Sequence, residues 1–366
     1  MLTSCKSEVE KTDTQNQARQ AIIESAITQF QRQLLEIQLD SVFADTEFNG
    51  VVSVSQDGEM LYEKFNGLQD FKEEIPLSNK SVFAIASVSK QFTAVLILLL
   101  EEQGKLSADD KVSKYLKIFE AKPFQNITIK ELLNHTSGIS DFGSGLLSEP
   151  GKEFHYSNKG FRLLGQIIEK VSGKSYDQNI AELFKNTGMQ KSSTATLFKG
   201  ENLAGAFTGP AKNYQQVESM PRRLAGESIG VPAGGVLSTV TDLHRWNYAL
   251  FTGKVLKPAT LNKFTEKSAD RNHQILGKMG YGLGIMMNVG KPEAYFHTGY
   301  MKGSPTLLIY YPKTKTSVVI LSNIADESKG KRAVFIPHKR TKEVTDVLQT
   351  AVSGFLPTLP QRSSVK

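Results

Sequence analysis

The strand-forming segments of this 366-residue chain stand near its two ends, and this constrains the fold more than any other feature. Residues 50–55 and 60–65 read as strands, and Gln56-Asp57-Gly58 between them is a hairpin turn sequence. Strands return only after Tyr281, at 281–287, 293–297, 306–311 and 317–322, with Pro312-Lys313-Thr314-Lys315 as the turn between the last two. From Ser107 to about Asp270 the pattern is short helices and loops rich in Gly and Ser, clearest as helix at 127–133 and 161–171. Amphipathic helices are expected at 18–38 and 341–355. Strands so far apart in the chain bury their apolar faces by joining one sheet. The expected fold class is α+β, an antiparallel sheet flanked by helices with an inserted, mostly helical lobe. Residues 17–106 and 276–357 would form the sheet part and 107–275 the lobe, with a disordered tail at 1–16 and a second tail at 358–366. A ligand site belongs in the crevice between the two parts.

Composition narrows the chemistry. The net charge of +7 invites thoughts of nucleic acid, but the lysines are scattered. The dense group of Lys329, Lys331, Arg332, Lys339, Arg340 and Lys342 lacks interleaved aromatics and reads as a solvated loop. No nucleic-acid partner is expected. The single cysteine, Cys5, excludes an internal disulfide and a multi-thiolate zinc site, and the six histidines are dispersed, so no metal or other cofactor is expected. The longest apolar stretch, 94–100, is too short to cross a bilayer. Leu2-Thr3-Ser4-Cys5 looks like the end of a bacterial lipoprotein signal, which would make Cys5 a lipid anchor and residues 6–17 a tether. A free cysteine in a frayed tail fits the same residues.

Three short elements carry candidate chemistry. Ser87 stands at the entry to an apolar helix running to about Gln103, where Gly104 stops it, with Lys90 one turn on. Residues three apart share a helix face, so the amine can reach the hydroxyl. Serine is a weak nucleophile until a base takes its proton, and lysine serves as that base once burial lowers its pKa. A Ser-x-x-Lys pair arises about once or twice by chance in a chain this long. Ser328 with Lys331 and Ser363 with Lys366 are two more, but only Ser87 leads into an apolar helix. The second element is Tyr156-Ser157-Asn158, a phenol able to relay protons beside an amide able to hold a substrate's polar bond. The third is His297-Thr298-Gly299 at a strand end, where glycine permits close backbone approach and the Tyr300 amide could serve an oxyanion. Alone, the second reads as a surface turn and the third as a strand end. Of the remaining polar or aromatic singletons, His135, His155 and His244 read as structural, and Trp246 as core.

Together, in this order and spacing, the three elements resemble the penicillin-recognising serine hydrolases: class C β-lactamases, low-molecular-mass DD-peptidases and related esterases. Leu132 to Ile139, Pro232 to Leu243 and Tyr281-Gly282-Leu283-Gly284 extend the resemblance over about residues 22–355. It implies a β-lactamase/transpeptidase-like fold, acylation of Ser87, and proton transfer shared by Lys90 and Tyr156. Asn158, His297, Thr298 and Gly299 would bind substrate, and the amides of Ser87 and Tyr300 would form the oxyanion hole. Class C enzymes usually carry lysine where this chain has His297. A mostly neutral histidine attracts a substrate carboxylate less, which argues against efficient β-lactamase activity. The resemblance implies a small-molecule or peptidoglycan-peptide substrate, an ester or a D-amino-acid amide, and an exported, periplasmic or membrane-anchored bacterial protein. The alternatives are a β-lactamase proper and a non-catalytic binder of cell-wall peptides. Substrate choice is expected in the loops 141–149 and 212–227.

Overall fold

The computed structural model describes residues 2–44, 48–210, 213–217 and 230–355, with the backbone alone for 2–13, Lys331 and Phe355. The expected C-terminal tail at 358–366, the side chain of Cys5 and most of the 212–227 loop lie outside the described residues. The first helix, α1 (Leu2–Ala44), is longer than its apolar periodicity suggests and includes the segment expected to be a disordered tail. No glycine or proline interrupts that polar stretch, so nothing in its residue types stops the helix.

Eight strands form one antiparallel sheet. They are β1 (Gly50–Gln56), β2 (Glu59–Asn66), β3 (Ala269–His273), β4 (Gly277–Tyr281), β5 (Met286–Met287), β6 (Tyr295–Met301), β7 (Ser304–Tyr311) and β8 (Thr316–Ser322). Their order is β3-β4-β5-β6-β7-β8-β1-β2, so the N-terminal hairpin completes the C-terminal meander, pairing β1 with β8 from Gly50↔Ser322 to Gln56↔Thr316. Asp57 and Gly58 both take positive φ, the geometry a tight two-residue hairpin turn needs. The alternation of side chains divides the sheet between two cores. Val52, Val54, Val318 and Ile320 face α1 and the C-terminal helix (Ile336–Phe355), whereas Val51, Leu308, Val319 and Leu321 face the helical lobe.

The lobe contributes α2 (Lys90–Glu102), α3 (Asn158–Ser172), α4 (Tyr176–Thr187) and α5 (Val240–Phe251). Three differences from expectation have physical causes. First, the segment 281–287 is not one strand. Gly282 to Ile285 form a turn whose backbone bonds to the lobe, Leu283 N–H to Phe264 and Gly284 N–H to Leu133. Gly284 has φ +79°, and a Cβ there would stand 2.9 Å from Ala94 Cβ. Secondly, the lobe ends before residue 275. β3 belongs to the sheet, and α5 packs across its inner face through polar contacts that no apolar pattern reveals. His244 meets Ser53 at 2.8 Å, Ser55 at 3.0 Å and Ser317 at 2.8 Å, and Asn247 donates to the Ile309 carbonyl. Thirdly, the basic group at 329–342 is mostly helical rather than a loop. Its Lys342 is nearly buried, donating to Asp346 one turn on and to Asn288. Trp246 lies in the core, its indole N–H bonded to Gln91.

His244 gives the fold a pH dependence. Burial lowers its pKa to about 3, against about 6.5 in an unfolded chain. The stability of the neutral ring is therefore complete above pH 6.5 and is lost as pH falls towards 3. At pH 5 this one residue removes about 2 kcal/mol. The urea midpoint of His244→Gln should fall less between pH 7 and pH 5 than that of the wild type; equal falls would show that His244 is not held neutral.

Candidate active site

Ser87 sits in a 3-10 turn (Ala86–Ser89) that leads directly into α2. Ala86 takes φ +47°, a strained value for a residue with a side chain, and Ser87 alone in the turn keeps surface exposure. The turn is pressed against β6. A Cβ on Gly299 would stand 2.2 Å from the Ile85 carbonyl oxygen and 3.2 Å from Ala86 Cβ. The close approach that Gly299 permits is thus to the backbone of the Ser87 turn. Thr306 Oγ1 donates to the same Ile85 carbonyl at 3.1 Å.

Lys90 is fully buried, and its Nζ lies 2.8 Å from Asn158 Oδ1, 2.7 Å from the Ala233 carbonyl oxygen and 3.2 Å from Ser87 Oγ. Two of these partners can only accept. An uncharged amine has two N–H bonds to give them, which leaves its lone pair facing the one neighbour that also carries a proton, the Ser87 hydroxyl. Burial lowers the Lys90 pKa below the ordinary amine range; Tyr156 and Asp141 oppose this, and the Arg271 cation adds to it. The amine is therefore shifted towards the form that can accept a proton from Ser87.

Tyr156 lies beside this pair, with Lys90 Nζ 4.7 Å from its ring centre. Ser157 caps α3, accepting from Gly160 N–H, and Asn158 is the first helical residue. Asp141, from the loop before them, accepts from Ser157 Oγ at 3.0 Å, Lys159 N–H at 2.8 Å and Asn158 Nδ2 at 3.1 Å. By taking the amide nitrogen, Asp141 turns the Asn158 oxygen towards Lys90. The ring of His135 packs 4.3 Å from that of Tyr156, and its Nδ1 accepts from Ser157 N–H at 3.1 Å. Desolvation in the core holds His135 neutral, so it acts as a support for the Tyr156-Ser157-Asn158 turn.

His297 lies within β6, not at its end, and has no exposed surface. Its Nδ1 is 2.6 Å from the Thr298 carbonyl, which can only accept, so Nδ1 carries the proton. Nε2 then accepts from the Tyr281 hydroxyl at 3.1 Å. Burial, followed by the nearby Lys90 and Arg271 charges, drives its pKa well below the usual imidazole value. His297 is neutral and fully engaged. Further along β6, Tyr300 stands opposite Pro305, which has no N–H and whose carbonyl accepts from His338 Nε2 at 3.1 Å. On the other side of β6, β5 pairs only with Tyr295 and Phe296.

The fold thus brings Ser87, Lys90, Tyr156, Asn158, His297 and Gly299 into one region. Sequence reasoning missed Asp141, Arg271, Tyr281 and His273. Arg271 lies on β3 with its guanidinium 4.6 Å from the Tyr156 ring centre, and His273 Nε2 is 3.2 Å from Thr298 Oγ1. β3 is short and polar, without the alternation that marks a strand, and this hid both residues. Asp141 had a signal in the loop singled out for substrate choice, but nothing local pointed it at Asn158. Among the described residues no group of three or more acidic, histidine or cysteine side chains could hold a metal ion.

Residues 28–337 match the family model described as Beta-lactamase. Penicillin-binding protein 4* of Bacillus subtilis is 28% identical over 341 residues, covering 84% of this chain and 75% of that protein. Among solved structures, a penicillin binding protein from Bacillus halodurans superposes with a TM-score of 0.71 at 23% identity, covering 84% of this chain and 99% of the other. A D-amino acid amidase from Ochrobactrum anthropi superposes with a TM-score of 0.72 at 22% identity, covering 86% and 98%. These superpositions agree with the α+β architecture of one antiparallel sheet and an inserted helical lobe. With a family match spanning most of its length and the same fold around its Ser-x-x-Lys pair, this chain belongs to the Beta-lactamase family of serine hydrolases.

Proposed function

We propose that this protein hydrolyses an ester, or an amide built from D-amino acids, through a covalent acyl-Ser87 intermediate. The observation that carries this reading is the amine of Lys90, tied to two carbonyl oxygens so that its lone pair faces Ser87 Oγ. In acylation, Oγ bonds to the substrate carbonyl carbon while its proton passes to Lys90 Nζ. The carbonyl oxygen becomes an oxyanion, received by the Ser87 and Tyr300 amides, and the start of α2 adds its positive end. The bond to the leaving alcohol or amine then breaks, and the leaving group takes a proton by way of Tyr156. Water attacks the acyl-enzyme and gives a proton to the same relay, which returns it to Ser87 Oγ as the acyl–oxygen bond breaks and the acid leaves. Asn158, oriented by Asp141, holds the polar group beside the scissile bond.

Two other readings are weaker. Efficient β-lactamase turnover draws on a cation near the position of His297, and this side chain is neutral and buried. A non-catalytic binder of cell-wall peptides has no use for an amine held against a serine hydroxyl.

Three measurements test the proposal. Intact-protein mass after exposure to a fluorophosphonate, and separately to benzylpenicillin, should show one adduct on the wild type and none on Ser87→Ala. A lasting penicillin adduct would favour a D-amino-acid peptidase, a fluorophosphonate adduct alone an esterase, and no adduct on folded protein would overturn the proposal. Lys90→Ala should slow adduct formation by about 10³-fold; a drop of less than about tenfold would remove Lys90 from the proton path. Asp141→Ala should lower kcat/KM by about 10- to 100-fold with little change in Tm, because Asn158 loses its orientation. An unchanged kcat/KM would show that Asn158 needs no such support.

A further inference from the structure

A cavity of about 290 Å³ opens between the end of β8 and the start of the C-terminal helix. Ligand pockets run from roughly 300 to 1,000 Å³, so this one suits a ligand the size of an amino acid. Phe48, Ile324, Val334 and Ile336 give it apolar walls, and Asp326 and Lys329 add one charge of each sign. None of Ser87, Lys90, Tyr156, Asn158, His297 and Gly299 lines it. Side chains alternate along β6, so Gly299 faces the Ser87 turn while Phe296 and Tyr300 face the opposite way. The cavity lies on that opposite face, where Phe48 joins the core beneath α1 and the C-terminal helix.

His338 forms the closed end of the lining and is 1% exposed. Its ring is held between Phe335 at 5.2 Å and Phe48 at 6.2 Å, centre to centre. Burial lowers its pKa to about 4, so at pH 7 the ring is neutral and carries one proton. The Pro305 carbonyl, 3.1 Å from Nε2, can only accept, and this fixes the proton on Nε2. Nδ1 is left as a buried lone pair with no hydrogen-bond partner among the described residues. An unmet acceptor of this kind costs about 1–3 kcal/mol, which a ligand carrying an O–H or N–H donor recovers. The two charges stand at the open end, with Asp326 half-buried and Lys329 exposed. Asp326 accepts from Ser328 N–H at 2.9 Å. Its bonds from Ser328, with the Lys329 charge adding to them, hold the carboxyl below its usual range.

We propose that this cavity is a second, non-catalytic site for a zwitterionic amino acid whose apolar side chain ends in a hydroxyl, with tyrosine as the type. The hydroxyl donates to His338 Nδ1, the apolar body lies against Phe48 and Ile324, and the ammonium and carboxylate meet Asp326 and Lys329. A purely apolar side chain leaves the Nδ1 lone pair unmet, and an amine or a carboxylate alone leaves one charge at the mouth unmatched. The site stands apart from the acyl-Ser87 reading, which can fail without touching it. Its occupant lies one ring away from the Tyr300 side chain, because Phe335 packs against His338 and also, at 5.8 Å, against Tyr300.

The test is a set of ligand-observed NMR titrations on the full chain, with tyrosine of either hand, phenylalanine, tyramine and 3-(4-hydroxyphenyl)propionate as probes. One enantiomer of tyrosine should bind, and the phenylalanine of the same hand should bind about 10-fold more weakly, for want of the hydroxyl. Tyramine and the propionate, each short of one charge, should bind about threefold more weakly. Lys329→Ala, an exposed change that leaves the fold alone, should weaken tyrosine about threefold and leave tyramine as it was. Ala333→Phe fills the cavity from its half-exposed wall and should abolish binding with Tm retained. His338→Phe should bring tyrosine and phenylalanine to within about twofold of each other. No binding of either tyrosine up to its solubility limit would mean that water alone meets Nδ1, and it overturns the proposal. Equal affinity for tyrosine and phenylalanine in the wild type overturns it as well. So does tyrosine binding that survives Ala333→Phe and Lys329→Ala unchanged, since the ligand would then lie elsewhere, the Ser87 cleft included.

Discussion

A single buried amine ties the molecule together. Lys90 Nζ joins the start of α2 to the first residue of α3 and to the carbonyl of Ala233, segments 68 and 143 residues away in the chain. An amine enclosed this way loses the stabilisation that water gives its charge. Its remaining stability comes from the acceptors that close around it, so the three segments must meet at hydrogen-bonding distance. The same desolvation that constrains the fold moves Lys90 towards its uncharged form. Structural demand and chemical competence here have one cause.

Around that amine the site is built in a shell of aromatic and neutral imidazole side chains. His135, Phe154, Tyr156, Phe161 and Tyr281 lie ring to ring, with centroid separations from 4.3 to 5.6 Å about His135. Such packing excludes water and strengthens each charge that remains. The Lys90 amine and the Arg271 guanidinium both lie against the Tyr156 ring. The histidines nearby are uncharged for the same reason, burial without a carboxylate partner, and each serves by hydrogen bonds of fixed direction. His135 holds the Ser157 amide, His297 holds Tyr281, and His273 sets the polarity of Thr298. Histidine at position 297 fits this pattern, its neutral ring filling a dry position.

Much of this was legible from residues close together in sequence. The hairpin at Asp57 and Gly58, the meander after residue 295 and the apolar helix after Ser87 follow from alternation, turn chemistry and helical spacing. Strand β3 was not legible, because its residues are polar and its place at the sheet edge is set by pairing with β4. Nor was the attachment of α5 to the sheet, since His244 and Asn247 meet serine hydroxyls where an amphipathic pattern would lead one to expect apolar contacts. The turn at Gly282 to Ile285 shows the limit of local patterning in the opposite sense. Its residues read as a strand, but their N–H groups are claimed by Phe264 and Leu133 of the lobe.

The sequence by itself determined the pairing of Ser87 with Lys90, because residues three apart share one helical face, which brings a hydroxyl and an amine together whatever surrounds them. It also determined that the two ends of the chain share one sheet, because their apolar faces had to be buried against each other. Only the tertiary structure decided the state of that amine and the company it keeps. The Ala233 carbonyl, the carboxylate of Asp141 and the guanidinium of Arg271 arrive from segments with no periodic relation to Ser87, and protonation depends on burial and on charges at a distance in space rather than in sequence.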